Sequence, residues 1–396
     1  MSAPLAVIGV GAAGWASLNS QAQQEILAAE VVLGGSRHLA MLPDKPGQQR
    51  VVWPVPLREN LPALLEKYAD SSVVVLASGD PLVSGIGGTL IELLGPHRVR
   101  IEPAISSVAL ACARLGWPAE SVEVVTLVGR DPAALRRSLS TGHRLVVLSS
   151  DASTPAAVAA LLVEAGFGES AMTVLGDLGA ATESRRETRA ADWSGEAPAL
   201  NVIAVACAGI GLGWTPGLPD EAFEHDGQLT KRDARASALA RLAPGPNQVL
   251  WDVGAGAGSV AIEWLRAHLS TTAYAIEADP QRAERITRNA RALGVPRLEV
   301  VLGRAPEALA GLPAPDAIFI GGGATREGVI AAALEQHATV VVHGVTLETE
   351  TLLARLYAEH GGELIRLQVE TAAPIGSFTG WTPARTITQW TWRQSP

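Results

Sequence analysis

Two glycine-rich segments have the residue types that bind a nucleotide-like molecule through the backbone. Ser78-Gly79-Asp80-Pro81-Leu82 precedes Gly85-Ile86-Gly87 in the first half of the chain, and Asp252-Val253-Gly254-Ala255-Gly256-Ala257-Gly258 lies in the second half. Glycines let backbone amides approach a ligand closely, and the amides at a helix N-terminus favour negative charge. Two different motifs in series suggest an enzyme that binds the same cofactor twice and performs one transfer twice on a large substrate.

The second segment predicts a strand-to-helix turn, with Glu277 at the end of the following strand, where a carboxylate can bind both hydroxyls of a ribose. An NAD site would have the same geometry. Three features favour S-adenosyl-L-methionine instead, and the third is the glycine run Gly321–Gly323 after the predicted strand Ala317–Ile320. Asp252 opens the glycine run, consistent with a ligand that carries an ammonium group, and Gly303-Arg304-Ala305-Pro306 ends the third strand, where the adenine of that cofactor is usually bracketed.

Three consecutive glycines, Gly321, Gly322 and Gly323, follow the predicted strand Ala317–Ile320. Nucleic-acid amino methyltransferases have an Asn/Asp-Pro-Pro-aromatic loop at this place, which orients a weak nitrogen nucleophile. Glycines offer only backbone and space, which suits a bulky substrate whose attacking carbon is already electron-rich and needs mainly alignment. A simple tight turn is the alternative interpretation. Gly321, Gly322 and His343 are therefore candidate residues next to the substrate.

A further glycine motif, Gly9-Val10-Gly11-Ala12-Ala13-Gly14, formally matches the GxGxxG pattern of dinucleotide-binding folds. That interpretation requires an acidic residue at the end of the second strand. The predicted second strand, Val31–Leu33, is followed by Gly34-Gly35 instead. We therefore reject a dinucleotide site here.

Composition limits the possible partners. The chain has 396 residues, 47% of them hydrophobic and 18% charged, which predicts two or three globular domains. Its net charge of −9 argues against nucleic-acid binding by broad phosphate neutralisation. Lys45, Lys67 and Lys231 are the only lysines among 31 basic residues, so the rest are arginines. Codon bias explains this best, but arginine forks also bind carboxylates well.

Targeting, membrane and metal signals are not evident. The apolar strand Leu5–Val10 has no basic region before it, and apolar runs are too short to span a membrane. Cys112 and Cys207 suggest no disulfide framework, and the histidines show no zinc-site spacing. We expect a cytoplasmic protein that needs no metal and binds neither membranes nor nucleic acid.

Alternating apolar strands and helices predict an α/β protein with two domains. Residues 1–208 form the first, which the helix Ser107–Leu115 divides into two lobes near Pro103. Residues 209–220, rich in Gly and Pro, form a linker. Residues 221–396 form a doubly wound, Rossmann-like domain of the class I methyltransferase type, whose last part, from Glu363 to Trp392, is expected to form an antiparallel hairpin at the sheet edge.

The second half resembles the decarboxylating precorrin methylase domain of corrin biosynthesis over nearly all of residues 222–396. The resemblance depends on residues 223–235, 251–254, 303–306, 319–322 and 345–349. His343 departs from it, since Asn is more usual there. The resemblance implies that the following residues contact S-adenosyl-L-methionine: Thr230, Gly254, Ala255, Gly256, Ala257, Gly258, Glu277 and Ala305.

The first half is similar to the tetrapyrrole methylase superfamily over about residues 4–207, through residues 7–11, 34–39, 78–82, 103–107 and 115–118. Residues 34–39 point to the precorrin C5-methylase branch. The family fold is two-lobed and binds its methyl donor between the lobes. The resemblance implies donor contacts by Gly79, Asp80, Val83, Ser106 and Ser107, and it places Gly9, Gly11, Arg37 and His38 on the substrate side. Ala12-Ala13 and Ser84 depart from the usual residues.

Together the resemblances imply a bifunctional enzyme of cobalamin biosynthesis that converts precorrin-6B to precorrin-8X. The first domain would methylate C5 of the precorrin, and the second would methylate C15 and remove the carboxyl group of the ring-C acetate. The same reactions on cobalt-precorrins are an alternative. An NAD-dependent oxidoreductase and a non-catalytic sensor of the cofactor are less favoured alternatives. We also expect a homo-oligomer.

Overall fold

The computed structural model describes residues 4–393. Residues 1–3 of the first predicted domain and residues 394–396 of the second lie outside the described range. The described chain forms two compact units. The first comprises Met1–Pro132 and Ser140–Ile210, and the second comprises Ala133–Leu139 and Gly211–Pro396. No described helix has the length and apolar character to cross a membrane, and no three described His, Cys, Asp or Glu side chains are grouped as a metal site would require.

The first sheet of the first unit is entirely parallel, in the order β3-β2-β4-β1-β5. Apolar residues cover both of its faces, as expected for a parallel sheet packed between helices. Its strands are β1 (Leu5–Val10), β2 (Val31–Gly34), β3 (Gln49–Val52), β4 (Val73–Ser78) and β5 (Val99–Glu102), and its helices are α1 (Ser20–Ala28), α2 (Ser36–Ala40), α3 (Leu57–Lys67) and α4 (Ile86–Leu94).

The second sheet of the first unit is mixed, in the order β6-β7-β10-β8-β9, with only β6 and β7 parallel. The sequence did not predict β9, because its charged residues are those of an exposed edge strand rather than a core strand. The elements are α5 (Ser107–Leu115), β6 (Glu123–Thr126), β7 (Arg144–Leu148), α6 (Thr154–Glu164), β8 (Ala171–Gly176), β9 (Ser184–Arg189) and β10 (Asn201–Ala206).

The second unit contains a seven-stranded sheet in the order β13-β12-β11-β14-β15-β19-β16, with β19 antiparallel to both of its neighbours. The predicted α/β fold class is confirmed. The elements are α7 (Arg232–Leu242), β11 (Val249–Val253), α8 (Ser259–Ala267), β12 (Thr272–Glu277), α9 (Pro280–Ala292), β13 (Glu299–Leu302), β14 (Ala317–Ile320), α10 (Val329–Leu334), β15 (Thr339–Gly344), α11 (Leu347–His360), β16 (Glu363–Leu367), β17 (Glu370–Ile375), β18 (Phe378–Pro383) and β19 (Ile387–Arg393).

The end of the chain differs in detail from the expected hairpin. β16 and β19 do pair at the sheet edge, but β17 and β18 form a separate two-stranded hairpin between them in sequence. The helix α11 was also not predicted. It begins at Leu347, and Thr346 is its N-cap. The Thr346 side chain accepts a hydrogen bond from the Thr349 amide, so a capping signal was present in the sequence.

A buried ion pair organises the start of the second unit. Arg235 on α7 is fully buried, and its Nε donates to Glu263 Oε1 on α8 at 2.5 Å. The same carboxylate accepts from the Gly217 and Leu218 amides at 2.6 and 3.0 Å. Leu218, within the predicted linker, is packed into the core of this unit. Arg235 also donates to the carbonyls of Leu218 and Thr230, so it connects three chain segments.

We predict that breaking this pair destabilises the second unit strongly. Arg235→Met leaves the Glu263 carboxylate buried without its cation, and the free energy of unfolding should fall by about 3–5 kcal/mol. The double variant Arg235→Met/Glu263→Met should lose much less than the sum of the single variants. Urea unfolding of the whole chain measures these differences, and strictly additive losses would contradict the proposed coupling.

Candidate functional sites

A cavity of about 1040 Å³ lies in the second unit. It lies at the carboxyl ends of the parallel strands, where doubly wound folds bind ligands. Nine of the residues singled out from the sequence line it: Thr230, Gly254, Ala255, Gly256, Glu277, Ala305, Gly321, Gly322 and His343. Ala257 and Gly258 do not, since Ala257 is buried and Gly258 caps the start of α8.

The loop after β11 has three glycines with positive φ, and two of them lie in the cavity wall. Gly254 and Gly256 have φ of +68° and +60°, a conformation that other residues rarely adopt. A Cβ on Gly254 would lie 2.8 Å from the Gly322 carbonyl oxygen, and one on Gly256 would lie 2.9 Å from the Gln228 carbonyl oxygen. The loop therefore presents backbone to the cavity while it packs tightly against two other segments.

Glu277 ends β12 at the cavity wall and is only 6% exposed. Its Oε2 accepts from the Gly256 amide at 2.8 Å. Its Oε1 accepts from the Ala278 and Asp279 amides at 2.9 and 3.0 Å. A carboxylate can accept about four hydrogen bonds, so the side chain is fixed in place with some capacity left for a ligand hydroxyl.

Asp252 does not have the role expected from its position before the glycines. Its side chain is fully buried and absent from the cavity wall, so it does not meet a ligand ammonium group there. Oδ2 accepts from the Ala261 amide at 3.0 Å, and Oδ1 has no partner among the described residues. The pKa of Asp252 is raised to about 7, mainly by burial and also by the nearby Glu277 charge, while the hydrogen bond from the Ala261 amide lowers it. The side chain instead connects β11 to α8.

The glycine loop after β14 and the end of β15 form another part of the wall. Gly322 has ordinary backbone geometry, and an added Cβ would come no closer than 3.9 Å to Gly254. His343 packs edge-on against Phe319, with ring centroids 4.9 Å apart, and its Nε2 lies 2.9 Å from Gln389 Oε1. Burial lowers the pKa of His343 to about 4, so the imidazole is neutral at pH 7.

Cationic side chains around this cavity were given no role from the sequence, although Arg232 and Arg304 lie in the motifs on which the resemblance depends. Arg282 pairs with Asp226, and Arg326 pairs with Glu307. Arg232, Arg304 and Arg385 also line the cavity, and they form no ion pair with any described residue. The many arginines of the sequence were the only signal, because their spacing does not show which of them face one site.

A second cavity, of about 550 Å³, lies in the first unit and is lined by residues that follow strands of both sheets. It contains eight residues singled out from the sequence: Gly11, Arg37, His38, Gly79, Asp80, Val83, Ser106 and Ser107. Gly9 is not in the wall. A Cβ there would lie 2.0 Å from the Gly79 carbonyl oxygen and 2.6 Å from the Ala104 amide nitrogen, so Gly9 permits close packing of the backbone instead.

Local hydrogen bonds fix the two loops of this cavity. Gly79 has φ of +52°, and its amide donates to the Val10 carbonyl. Asp80 Oδ1 accepts from the Leu82 amide at 2.8 Å. Ser106 caps α5, since its Oγ accepts from the Ala109 amide at 3.1 Å. The backbone of both loops is therefore set before a ligand arrives.

Arg37, His38 and Ser78 form a compact cluster in the same wall. Arg37 Nη2 donates to His38 Nε2 at 2.9 Å and to Ser78 Oγ at 3.1 Å, and Ser78 Oγ lies 3.1 Å from His38 Nε2. Burial and the Arg37 charge lower the pKa of His38 to about 4. The ring is therefore neutral at pH 7 and can accept the Arg37 hydrogen bond.

Comparison with known proteins agrees with both resemblances. The family described as tetrapyrrole (corrin/porphyrin) methylases matches residues 4–193, and the precorrin methyltransferase domain matches residues 221–394. A solved structure of the C-terminal domain of precorrin-6Y C5,15-methyltransferase from Rhodobacter capsulatus is 43% identical, with a TM-score of 0.44, and covers 46% of this chain and 100% of that chain.

Two curated relatives extend over nearly the whole chain. Both are named precorrin-6Y C(5,15)-methyltransferase [decarboxylating]. The one from Sinorhizobium sp is 44% identical over 98% of this chain and 96% of its own length. The one from Mycobacterium tuberculosis (strain ATCC 25618 / H37Rv) is 44% identical over 97% of this chain and 98% of its own length. The chain therefore belongs to the family of decarboxylating precorrin-6Y C5,15-methyltransferases.

Proposed function

We propose that the two units divide two S-adenosyl-L-methionine-dependent methyl transfers between them. The second unit methylates C15 of the precorrin and removes the carboxyl group of the ring-C acetate, and the first unit methylates C5. The overall reaction converts precorrin-6B to precorrin-8X in cobalamin biosynthesis. The observation that carries this division is that each unit has its own cavity, with a glycine-containing loop at a strand end in its wall.

The wall of the cavity in the second unit fits the methyl donor. Bound there, the donor supplies an electrophilic methyl group on a sulfonium. Gly254, Ala255 and Gly256 present backbone to it, Glu277 accepts from the ribose hydroxyls, and Thr230 and Ala305 contact it from the other walls. Ala257 and Gly258 contribute by starting α8 behind the loop rather than by contact. In the first unit, Gly79, Asp80, Val83, Ser106 and Ser107 hold the second donor molecule.

The substrate of the second unit lies over the Gly321–Gly323 loop. The meso carbon C15 is enamine-like in a reduced tetrapyrrole, so it would take up the methyl group of a bound donor and leave S-adenosylhomocysteine. Decarboxylation would release the acetate carboxyl group as carbon dioxide and leave the electron pair on the conjugated imines, and a proton from solvent would convert the remaining methylene to a methyl group. The protein contributes alignment, exclusion of water and cations for the substrate carboxylates. Arg232, Arg304 and Arg385 are placed to be those cations.

The alternatives predict different outcomes in one assay. Whole chain incubated with precorrin-6B and isotopically labelled donor should give a product with two labelled methyl groups and one carboxyl group fewer. No mass gain would favour a sensor of the cofactor. An NAD-dependent activity lacks support in the first unit, since β2 ends at Gly34 with no carboxylate for a ribose. In the second unit, binding of S-adenosylhomocysteine far more weakly than NADH in calorimetry would favour it. We propose the metal-free precorrin as substrate, and faster turnover of the cobalt complex would overturn that choice.

We also propose that the chain acts in the cytoplasm as a homo-oligomer. The hairpin of β17 and β18 supports self-association, because Ile375, Phe378 and Trp381 on it are 60%, 79% and 68% exposed. An isolated two-stranded hairpin is only marginally stable in water. Burial of these side chains against another copy would stabilise it.

Glu277→Ala should weaken donor binding in the second unit. The variant removes a charge-assisted acceptor worth about 1.5–3 kcal/mol, so the affinity for S-adenosylhomocysteine should fall about 10- to 100-fold. Calorimetry on the whole chain should show one weakened site and one unchanged site. Glu335→Ala, which removes an exposed carboxylate outside the cavity, is the control. Two unchanged sites would remove Glu277 from donor binding.

Gly322→Leu should exclude the substrate from the second unit. Both C15 methylation and decarboxylation should be lost, because leucine fills space proposed for the macrocycle. The C5 transfer on a C15-methylated substrate and donor binding should be nearly normal. Gly322→Ala is the matched control, since its Cβ would come no closer than 3.9 Å to Gly254, an ordinary van der Waals contact. Decarboxylation at the normal rate in the leucine variant would place the acetate elsewhere.

Phe378→Ser/Trp381→Ser should reduce self-association, because it removes the exposed apolar surface of the hairpin. Sedimentation velocity should then show a smaller species than the wild-type chain. Leu347→Ser, a change at another exposed apolar residue, should leave the species unchanged. A wild-type chain that is monomeric at every concentration would contradict the oligomer proposal.

A further inference from the structure

The Arg37–His38–Ser78 cluster is assembled from two adjacent parallel strands. Ser78 is the last residue of β4, and Arg37 and His38 lie in α2, directly after β2. β2 and β4 are neighbours in the sheet, paired through Leu33 and Val75. Their carboxyl ends therefore bring the three side chains together, and all three line the cavity of the first unit.

The hydrogen bonds of this cluster use only one end of the guanidinium group. Arg37 Nη2 has two hydrogens, and its two acceptors are His38 Nε2 and Ser78 Oγ. Nε and Nη1 donate to no described residue. Arg37 is half-buried, and burial lowers its pKa while the charge of Asp177 raises it. An arginine in this state is held in one orientation with donors left over for a ligand.

His38 supports the cluster as an uncharged acceptor. It is 8% exposed, and its Nδ1 is buried without a partner among the described residues. A neutral imidazole has one donor and one acceptor nitrogen. Because Nε2 receives the Arg37 hydrogen bond, Nδ1 carries the hydrogen. A protonated ring could not accept from Arg37, so the neutral form is needed to fix the guanidinium.

We propose that Arg37 is the anchor for a substrate carboxylate in the first unit, and that His38 and Ser78 are positioning residues that hold its guanidinium toward the cavity. The inference depends on the proposed function, in which this cavity takes an acetate- and propionate-bearing tetrapyrrole. Its new content is the division of roles: one residue contacts the substrate, and two act through it. A fixed guanidinium loses less conformational entropy on binding than a mobile one.

The test is the C5 transfer by the whole chain on purified C15-methylated, decarboxylated precorrin. Arg37→Met should raise KM for this substrate about 10- to 100-fold, with kcat at saturation and the affinity for S-adenosylhomocysteine unchanged. Arg58→Met is the matched control, because Arg58 is exposed, lies outside the cavity and forms an exposed ion pair with Glu92 at 3.7 Å. It should leave KM unchanged.

The positioning role is tested at His38. His38→Phe removes the acceptor and should raise KM severalfold with little change in kcat, whereas His38→Gln restores an acceptor oxygen and should recover most of the affinity. A purely structural role would lower activity and donor affinity together in both variants. If Arg37→Met does not fold, Arg37→Lys keeps a point charge without the fork and should show a smaller rise in KM.

Three results would overturn the inference. An unchanged KM in Arg37→Met or Arg37→Lys would remove the anchor. Equal effects of His38→Phe and His38→Gln would remove the positioning role. If the wild-type chain transfers no methyl group to C5, the proposed function of the first unit is wrong, and the inference is wrong with it. If the wild type is active but the variants have an unchanged KM, only the inference is wrong.

Discussion

The buried pair of Arg235 and Glu263 is the constraint on which the cavity of the second unit depends. The carboxylate fixes the Gly217 and Leu218 amides, and the guanidinium holds the Leu218 and Thr230 carbonyls. Thr230 belongs to the cavity wall. A charged pair inside a core is expensive to desolvate, and it is tolerated here because the partners are satisfied by backbone groups as well as by each other. The wall is thus positioned by polar contacts behind it rather than by apolar packing alone.

The two cavities achieve rigidity in different ways. In the second unit, Glu277 accepts from three backbone amides and so binds the glycine loop to the end of the neighbouring strand. In the first unit, Asp80 and Ser106 fix their own loops through local turns and a helix cap. Both arrangements prepare the backbone before binding, which favours a reaction that needs alignment more than acid–base chemistry. The neutral state of His343 is consistent with that view.

Much of the fold and many residues of both cavity walls could be predicted from the sequence, because glycine runs at strand ends and apolar periodicity are local signals. The core strands were found, whereas β9 was missed because its charged residues are those of an exposed edge. Asp252 and Gly9 show the limit within the sites. The sequence places both residues beside a ligand loop. Only the three-dimensional packing shows that Asp252 is buried behind its loop and that Gly9 leaves room for a crossing backbone segment. The partners of Ser78 are forty residues away, and only the pairing of β2 with β4 brings them together.

The close approach of Gly254 and Gly322 has a consequence for how such an enzyme can diversify. A side chain at Gly254 would collide with the backbone of the neighbouring loop, whereas one at Gly322 finds ordinary van der Waals space. Substitution is therefore blocked at Gly254, on the loop proposed to bind the donor, and open at Gly322, on the loop proposed to face the macrocycle. A lineage built on this scaffold can change the tetrapyrrole it accepts in small steps while its methyl donor stays the same.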